Sequence, residues 1–158
     1  MSSVKEAFGS NTSITITSVA SLTNNSQAGS AVVDNTSNLY LDAQVVAIIK
    51  TASASTSSTG YCNIYAYASI DGGSNYSDAV TGADATQTLT VPPNLRLIGV
   101  MNCVANSTTY VSSAFSVAAA FGGTLPPKWG IVIENKTGAT LAASGSSASY
   151  VGVYGTIA

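Results

Sequence analysis

Charge is what this chain has least of: only 8% of its residues are Asp, Glu, Lys or Arg, against about 25% in an ordinary soluble domain. Histidine is absent altogether. Catalysis near neutral pH draws on positioned groups that titrate or carry charge, and five Lys plus Arg with seven Asp plus Glu leave few candidates. No imidazole exists to activate a serine or cysteine, and a Ser-Lys pair through Lys50 or Lys128 is all that composition leaves for nucleophilic work. The chain therefore reads as a protein that is not an enzyme, with no catalytic residue assigned.

Long apolar runs are missing as well. Mean hydropathy is positive, at +0.31, yet a membrane span needs about 20 consecutive apolar residues, and the stretches around Val45 to Ile49 and Val117 to Phe121 stop far short. Small residues, Ala above all, raise the average. Neither a membrane segment nor a signal peptide is expected, since Met1-Ser-Ser-Val-Lys-Glu-Ala-Phe-Gly9 has no basic segment leading into an apolar core. Synthesis and assembly in the cytoplasm follow. The cations Lys5, Lys50, Arg96, Lys128 and Lys136 are spread along a chain of net charge −2, so nucleic acid is not an expected partner. Two cysteines without histidine cannot complete a four-ligand zinc site. Cys62 and Cys103 lie in apolar, strand-like runs and read as reduced, buried residues. No metal and no cofactor is expected.

What the chain does have is two-residue alternation, with a polar surface made of Ser, Thr and Asn. Ser13 to Leu22 puts Ile14 and Ile16 on one face and Thr15 and Thr17 on the other, the period of a half-buried strand. Asn38 to Lys50 places Leu39, Leu41, Ala43 and Val45 on one side before turning continuously apolar, as a central strand does. Tyr61 to Ile70 alternates Tyr61, Asn63, Tyr65 and Tyr67 with Cys62, Ile64, Ala66 and Ala68, which predicts tyrosine rings on the pleat with wet hydroxyls. The turn Asp71-Gly-Gly-Ser-Asn-Tyr76 then predicts a hairpin. Further strands are expected over Thr86 to Val91, Leu95 to Ala105, Tyr110 to Phe121, Trp129 to Asn135 and Ser149 to Ile157. The Ala-rich end before Gly122 could instead form one helical turn. About eight strands without an amphipathic helix predict an all-β fold, a single antiparallel β-sandwich or jelly roll over residues 13–158. Residues 1–12 read as a loose N-terminal arm, and Ala52 to Thr59 and Ala142 to Ala148 as loops.

Candidate binding residues are few. Val4, Ala7 and Phe8 give the arm apolar anchors with no obvious place in the sandwich, which makes Val4 and Phe8 candidate partner contacts. Trp129 reads either as a ring capping the core or as a third partner contact. Asp71, Asp78 and Asp84 fall near one turn, where they could approach as paired carboxylates or gather calcium, although Asp and Gly are ordinary turn residues.

Three segments carry a resemblance: Val117 to Gly138 with its Leu-Pro-Pro-Lys-Trp-Gly-Ile-Val-Ile-Glu-Asn run, Tyr65 to Tyr76, and Tyr150-Val-Gly-Val-Tyr-Gly155. Together they make the chain similar, over nearly its whole length, to a group of small virion structural proteins of tailed bacteriophages. The resemblance implies a non-enzymatic part of the virus particle: a capsid decoration (cement) protein or a tail or fibre component. Heptads, collagen-like repeats and β-helix repeats are absent, which favours decoration over an elongated fibre. A cement protein would have the major capsid protein and copies of itself, as a homotrimer, for partners. A carbohydrate- or host-surface-binding module is the competing reading, with Tyr65, Tyr67, Tyr76 and Trp129 available to stack on sugar rings.

Overall fold

In the computed structural model, which describes residues 3–157, the alternation of the fourth strand becomes the floor of the core. Strands β1 (Val4–Ile14), β2 (Gln27–Gly29), β3 (Val33–Asp34) and β4 (Asp42–Lys50) come first, followed by β5 (Tyr61–Ser69), β6 (Ala85–Gln87) and β7 (Arg96–Asn102). After them come β8 (Thr109–Val111), β9 (Phe115–Ser116), one helical turn α1 (Val117–Ala120), β10 (Lys128–Lys136) and β11 (Ser147–Ile157). In β4, Ala43, Val45, Ala47 and Ile49 are fully buried while their alternates are half-buried.

Two antiparallel sheets pack together as a β-sandwich. One runs β1-β11-β4-β8, with β9 also pairing β4; the other runs β6-β2-β10-β5-β7, with β3 also pairing β10. Between them lie Ile14, Val45, Ile49 and Tyr150 on one side and Cys62, Ile64, Trp129, Ile131 and Ile133 on the other. Strand β10 has cover on both faces, because it is central and Val132 is as buried as its neighbours. The segment between β5 and β7 supplies that cover. It crosses the outer face of its sheet, and Val80 and Leu95 close over Tyr65, Tyr67 and Val132.

That crossing corrects two expectations. The Asp71 turn does not make a tight hairpin: β5 pairs with β7, and the intervening β6 pairs with β2 on the far side of the sheet. Nor are the tyrosine hydroxyls all wet, since Tyr67 is buried and its hydroxyl donates to the Ser30 carbonyl at 2.8 Å. Burial pushes the Tyr67 phenol up to about 12.

The loose arm is a third correction. Val4–Ile14 is one strand, paired with β11 from Val4 opposite Ile157 to Ile14 opposite Ala148, with an irregularity between Phe8 and Asn11. Met1 and Ser2, the first residues of the expected arm, lie outside the described residues. Backbone pairing alone holds this strand, because side chains of β1 before Ile14 are mostly exposed; with no buried face there is no alternation to read. The strand expected over Ser13 to Leu22 ends at Ile14, and a 3₁₀ turn at Thr17–Val19 follows. Tyr110 to Phe121 is broken into β8, β9 and the α1 turn.

Candidate functional site

Several exposed apolar side chains gather at the end of the sandwich where β4 begins and β5 stops. The loop before β4 is held by one buried amide. The Asn35 side chain accepts from the Tyr40 N–H (2.9 Å) and donates to the Tyr40 carbonyl (3.0 Å), while the Asn35 carbonyl accepts from the Leu39 N–H (2.9 Å). Leu39 is thereby fixed at φ 54°, a left-handed conformation that costs a bulky residue about 1–3 kcal/mol. It points into solvent. Leu41, expected on the buried face of a strand, is exposed as well and lies just outside β4.

Beside this loop the two terminal strands run on past the sheet. Pairing of β11 with β4 stops at Val153 opposite Asp42, but pairing with β1 continues through Tyr154, Gly155, Thr156 and Ile157. The result is a two-stranded ribbon with no third strand. Its root is fastened by Asp42, whose carboxylate accepts the Ala43 and Ala118 N–H groups at 2.7 and 2.8 Å and so ties α1 to β4. Between ribbon and α1 lies a groove of about 470 Å³, lined by Val4, Glu6, Leu41, Ala118, Val153 and Gly155 among others. Val4 is 78% exposed, Phe8 62%, Leu39 71%, Leu41 62% and Ile157 78%.

A second apolar corner adjoins the first. Leu125 donates its N–H to the Leu41 carbonyl, which brings the α1–β10 loop against the Leu39 loop. Ala68, Ile70, Phe121, Leu125 and Pro126 line a shallow depression there, with Ile70 almost wholly exposed.

Of the residues that sequence reasoning singled out, Val4 and Phe8 are therefore in the surface, on the ribbon. Trp129 is not. It is fully buried, with the Tyr150 ring edge-on at 5.2 Å between centroids, and has no face to offer a partner. Leu39, Leu41, Ile70 and Ile157 went unrecognised because an apolar residue in a strand-like run is by default read as core. The sugar-stacking set is packed away: Tyr65, Tyr67 and Trp129 are buried, and Tyr76 packs edge-on against Tyr67 at 5.3 Å.

The three aspartates do not converge. Asp71 accepts from the Ser74 and Asn75 N–H groups of its own turn, and Asp78 accepts from Thr90 and Asn94. Asp84 reaches across to the 3₁₀ turn after β1, accepting the Thr17 and Ser18 N–H groups at 2.6 and 2.9 Å. Burial works to raise Asp84, but the hydrogen bonds from Thr17 and Ser18 outweigh it and hold its carboxyl below the ordinary value. Each carboxylate is taken up in holding backbone and side-chain donors of a turn. Among the described residues no group of three or more His, Cys, Asp or Glu could hold a metal ion.

Two further polar groups are equally committed. Glu134, nearly buried on the outer face of β10, accepts from Gln27, Asn63, Tyr65 and Lys136, which satisfies both oxygens. Cys62 and Cys103 are free and buried. The adjacent Cys103 thiol and burial push the Cys62 thiol up, so it offers no thiolate nucleophile near neutral pH. The exposed surface at this end of the sandwich is apolar, with Val4, Phe8, Leu39, Leu41, Ile70 and Ile157 all open to solvent. Comparisons of the chain with protein-family models, curated proteins and solved structures find no match.

Proposed function

We propose that this chain is a non-enzymatic structural protein of a tailed-bacteriophage virion, a decoration protein that attaches in many copies to the outer capsid shell and stabilises it. The observation that carries this reading is the preorganised apolar end. Leu39 is held in solvent by a clamped loop, at a conformational cost that a free monomer has no use for, and Leu41 and Ile70 are exposed at the same end. The near-uncharged surface supports it as well, because copies crowded on a shell repel one another weakly. So does the resemblance of the Val117 to Gly138 and Tyr65 to Tyr76 segments to small phage structural proteins.

We assign attachment to the Ile70 corner, where Ile70 is almost wholly exposed and Phe121 and Pro126 line the same depression. Particles lacking the protein, mixed with purified full chain, should take up hundreds of copies on the shell, visible as added density on the capsid surface. Ile70→Ser should lower occupancy at least tenfold, while circular dichroism stays that of a β protein. Density confined to the tail, with a few or dozens of copies, would move the assignment to a tail or fibre part.

A further inference from the structure

We infer that the Ile70 depression takes a protein segment in which an apolar residue stands beside an Asp or Glu, and that Arg96 is the residue that selects the acid. The inference deepens the attachment at the Ile70 corner. It rests on the decoration reading for the source of the segment, an exposed stretch of the shell subunit, whereas the chemistry of the contact is argued from the depression itself.

Register aims Arg96 at this site. Arg96 opens β7 as the cross-strand partner of Ala66, and cross-strand partners stand on the same face of a sheet. Ala66 belongs to the core, so Arg96 is directed to the inner side of the sandwich. It stays exposed because the strands end there, and it lines a depression of about 440 Å³ together with Ile70, Phe121, Leu125 and Pro126.

Charge chooses the occupant. Among the described residues the ion pairs are Lys128 with Asp34 and Lys136 with Glu134, and Arg96 belongs to neither. No other charged residue lines the depression. A partner seated on Ile70 therefore covers a guanidinium that this chain leaves unpaired: a purely apolar segment would strip it of water without replacement, and a basic one would be repelled. A carboxylate matches its planar fork of donors. The loop after α1 offers a second donor, because the Phe121 and Gly123 N–H groups both reach the Ala118 carbonyl while that of Gly122, which also lines the depression, does not. Asp71 lines the adjoining hollow, which shares Ala68, Ile70 and Phe121 with the first. Its oxygens already accept from Ser69, Ser74 and Asn75, so it is not placed to receive a cation. Its charge does repel an acid on that side, which orients the segment with the carboxylate at Arg96 and the apolar side chain at Ile70 and Phe121.

Nuclear magnetic resonance titration of the full chain with capped dipeptides reads the chemistry directly. The probes are acetyl-leucyl-glutamyl-amide and its glutaminyl and lysyl counterparts. The glutamyl peptide should move the amides of Ala68, Ile70 and Gly122 and bind at least about threefold more tightly than the glutaminyl one. Arg96→Gln should abolish that preference, and Arg96→Glu should turn it toward the lysyl peptide, an inversion that a merely structural role for Arg96 would not produce. Equal binding of the glutamyl and glutaminyl peptides, shifts confined to the ribbon, or no shift by about 20 mM peptide would overturn the inference. Particles lacking the protein separate it from the decoration reading. Wild type should load them and Arg96→Gln should load at least about fivefold less. Equal loading by the two would overturn the inference and leave decoration standing, whereas peptide preference without any loading would remove the decoration reading and leave the acid specificity of the depression intact.

Discussion

Gly130 and Gly152 show how small residues set the fit of large ones. A Cβ built on Gly130 would sit 2.3 Å from the Tyr67 ring, and one on Gly152 would sit 2.3 Å from the Tyr40 ring. Each strand glycine is roofed by an aromatic side chain, the arrangement by which β-sheets offset the weak packing of glycine. Gly130→Ala should therefore overpack a buried site and cost about 1–3 kcal/mol, read as a lowered denaturant midpoint. Asp84 acts in the other direction, by holding backbone donors of the Thr17 turn. Asp84→Ala leaves the Thr17 and Ser18 N–H groups without that acceptor, a loss comparable to removing a helix cap, about 1 kcal/mol. Neither role is legible in the sequence, because both depend on which distant residue arrives: Tyr67 over Gly130 by strand pairing, and Asp84 beside Thr17 by a crossing of the sheet.

Among the elements, those buried on at least one face were readable and those buried on neither were not. The period of β4 from Ala43 to Ile49 and the unbroken apolar run of β10 come directly from their position inside the sandwich. The ribbon half of β1 has no such constraint, and Lys5, Glu6 and Gly9 break any pattern. Leu39 and Leu41 extend the apolar run of β4 in sequence but leave the strand in space, because Asn35 reverses the chain before Asp42. Since the ribbon is held by one ladder, its amides should exchange fast: in dilute monomer, Lys5 to Ala7 and Tyr154 to Thr156 should lose protection far ahead of Ile131 to Ile133. Hydrogen exchange followed by mass spectrometry checks the order.

For the whole molecule, a scarcity of titrating groups becomes a prediction about pH. No histidine is present, so no side chain of ordinary pKa changes charge between about pH 5 and 8 and stability should be nearly flat there. Asp34 is held low by its hydrogen bond from Lys128, Asp71 by those from Ser69 and Asn75, and Asp84 and Glu134 lie low as well. A carboxyl whose folded pKa lies below its unfolded value stabilises the fold above the unfolded value and stops doing so as pH falls through the folded one. The melting temperature should accordingly drop below about pH 4. Tyr67 and Cys62 have the opposite sense: their raised values favour the fold at lower pH, and that contribution fades as pH climbs past about 9 to 10. A plateau with two shoulders, measured by calorimetry, is the expected profile. The β-sandwich class was legible from alternation and turn spacing because burial imposes both. The apolar end was legible only in Val4 and Phe8, since exposure is decided by the loop and sheet edge around each residue.

The register that sets Val4 opposite Ile157 has a practical sequel for anyone rewiring this polypeptide. Because the two ends of the described chain are cross-strand neighbours, a short turn could join them and convert the ribbon into an ordinary hairpin, with new ends opened in the Ser/Thr-rich stretch 52–59 between β4 and β5. Such a circular permutant should keep every sheet. The same closeness means that a tag on either end emerges at one spot, beside Val4 and Ile157. A bulky fusion there would crowd the apolar end of the sandwich, whereas one carried in the 52–59 opening, at the opposite end, would hang clear of it.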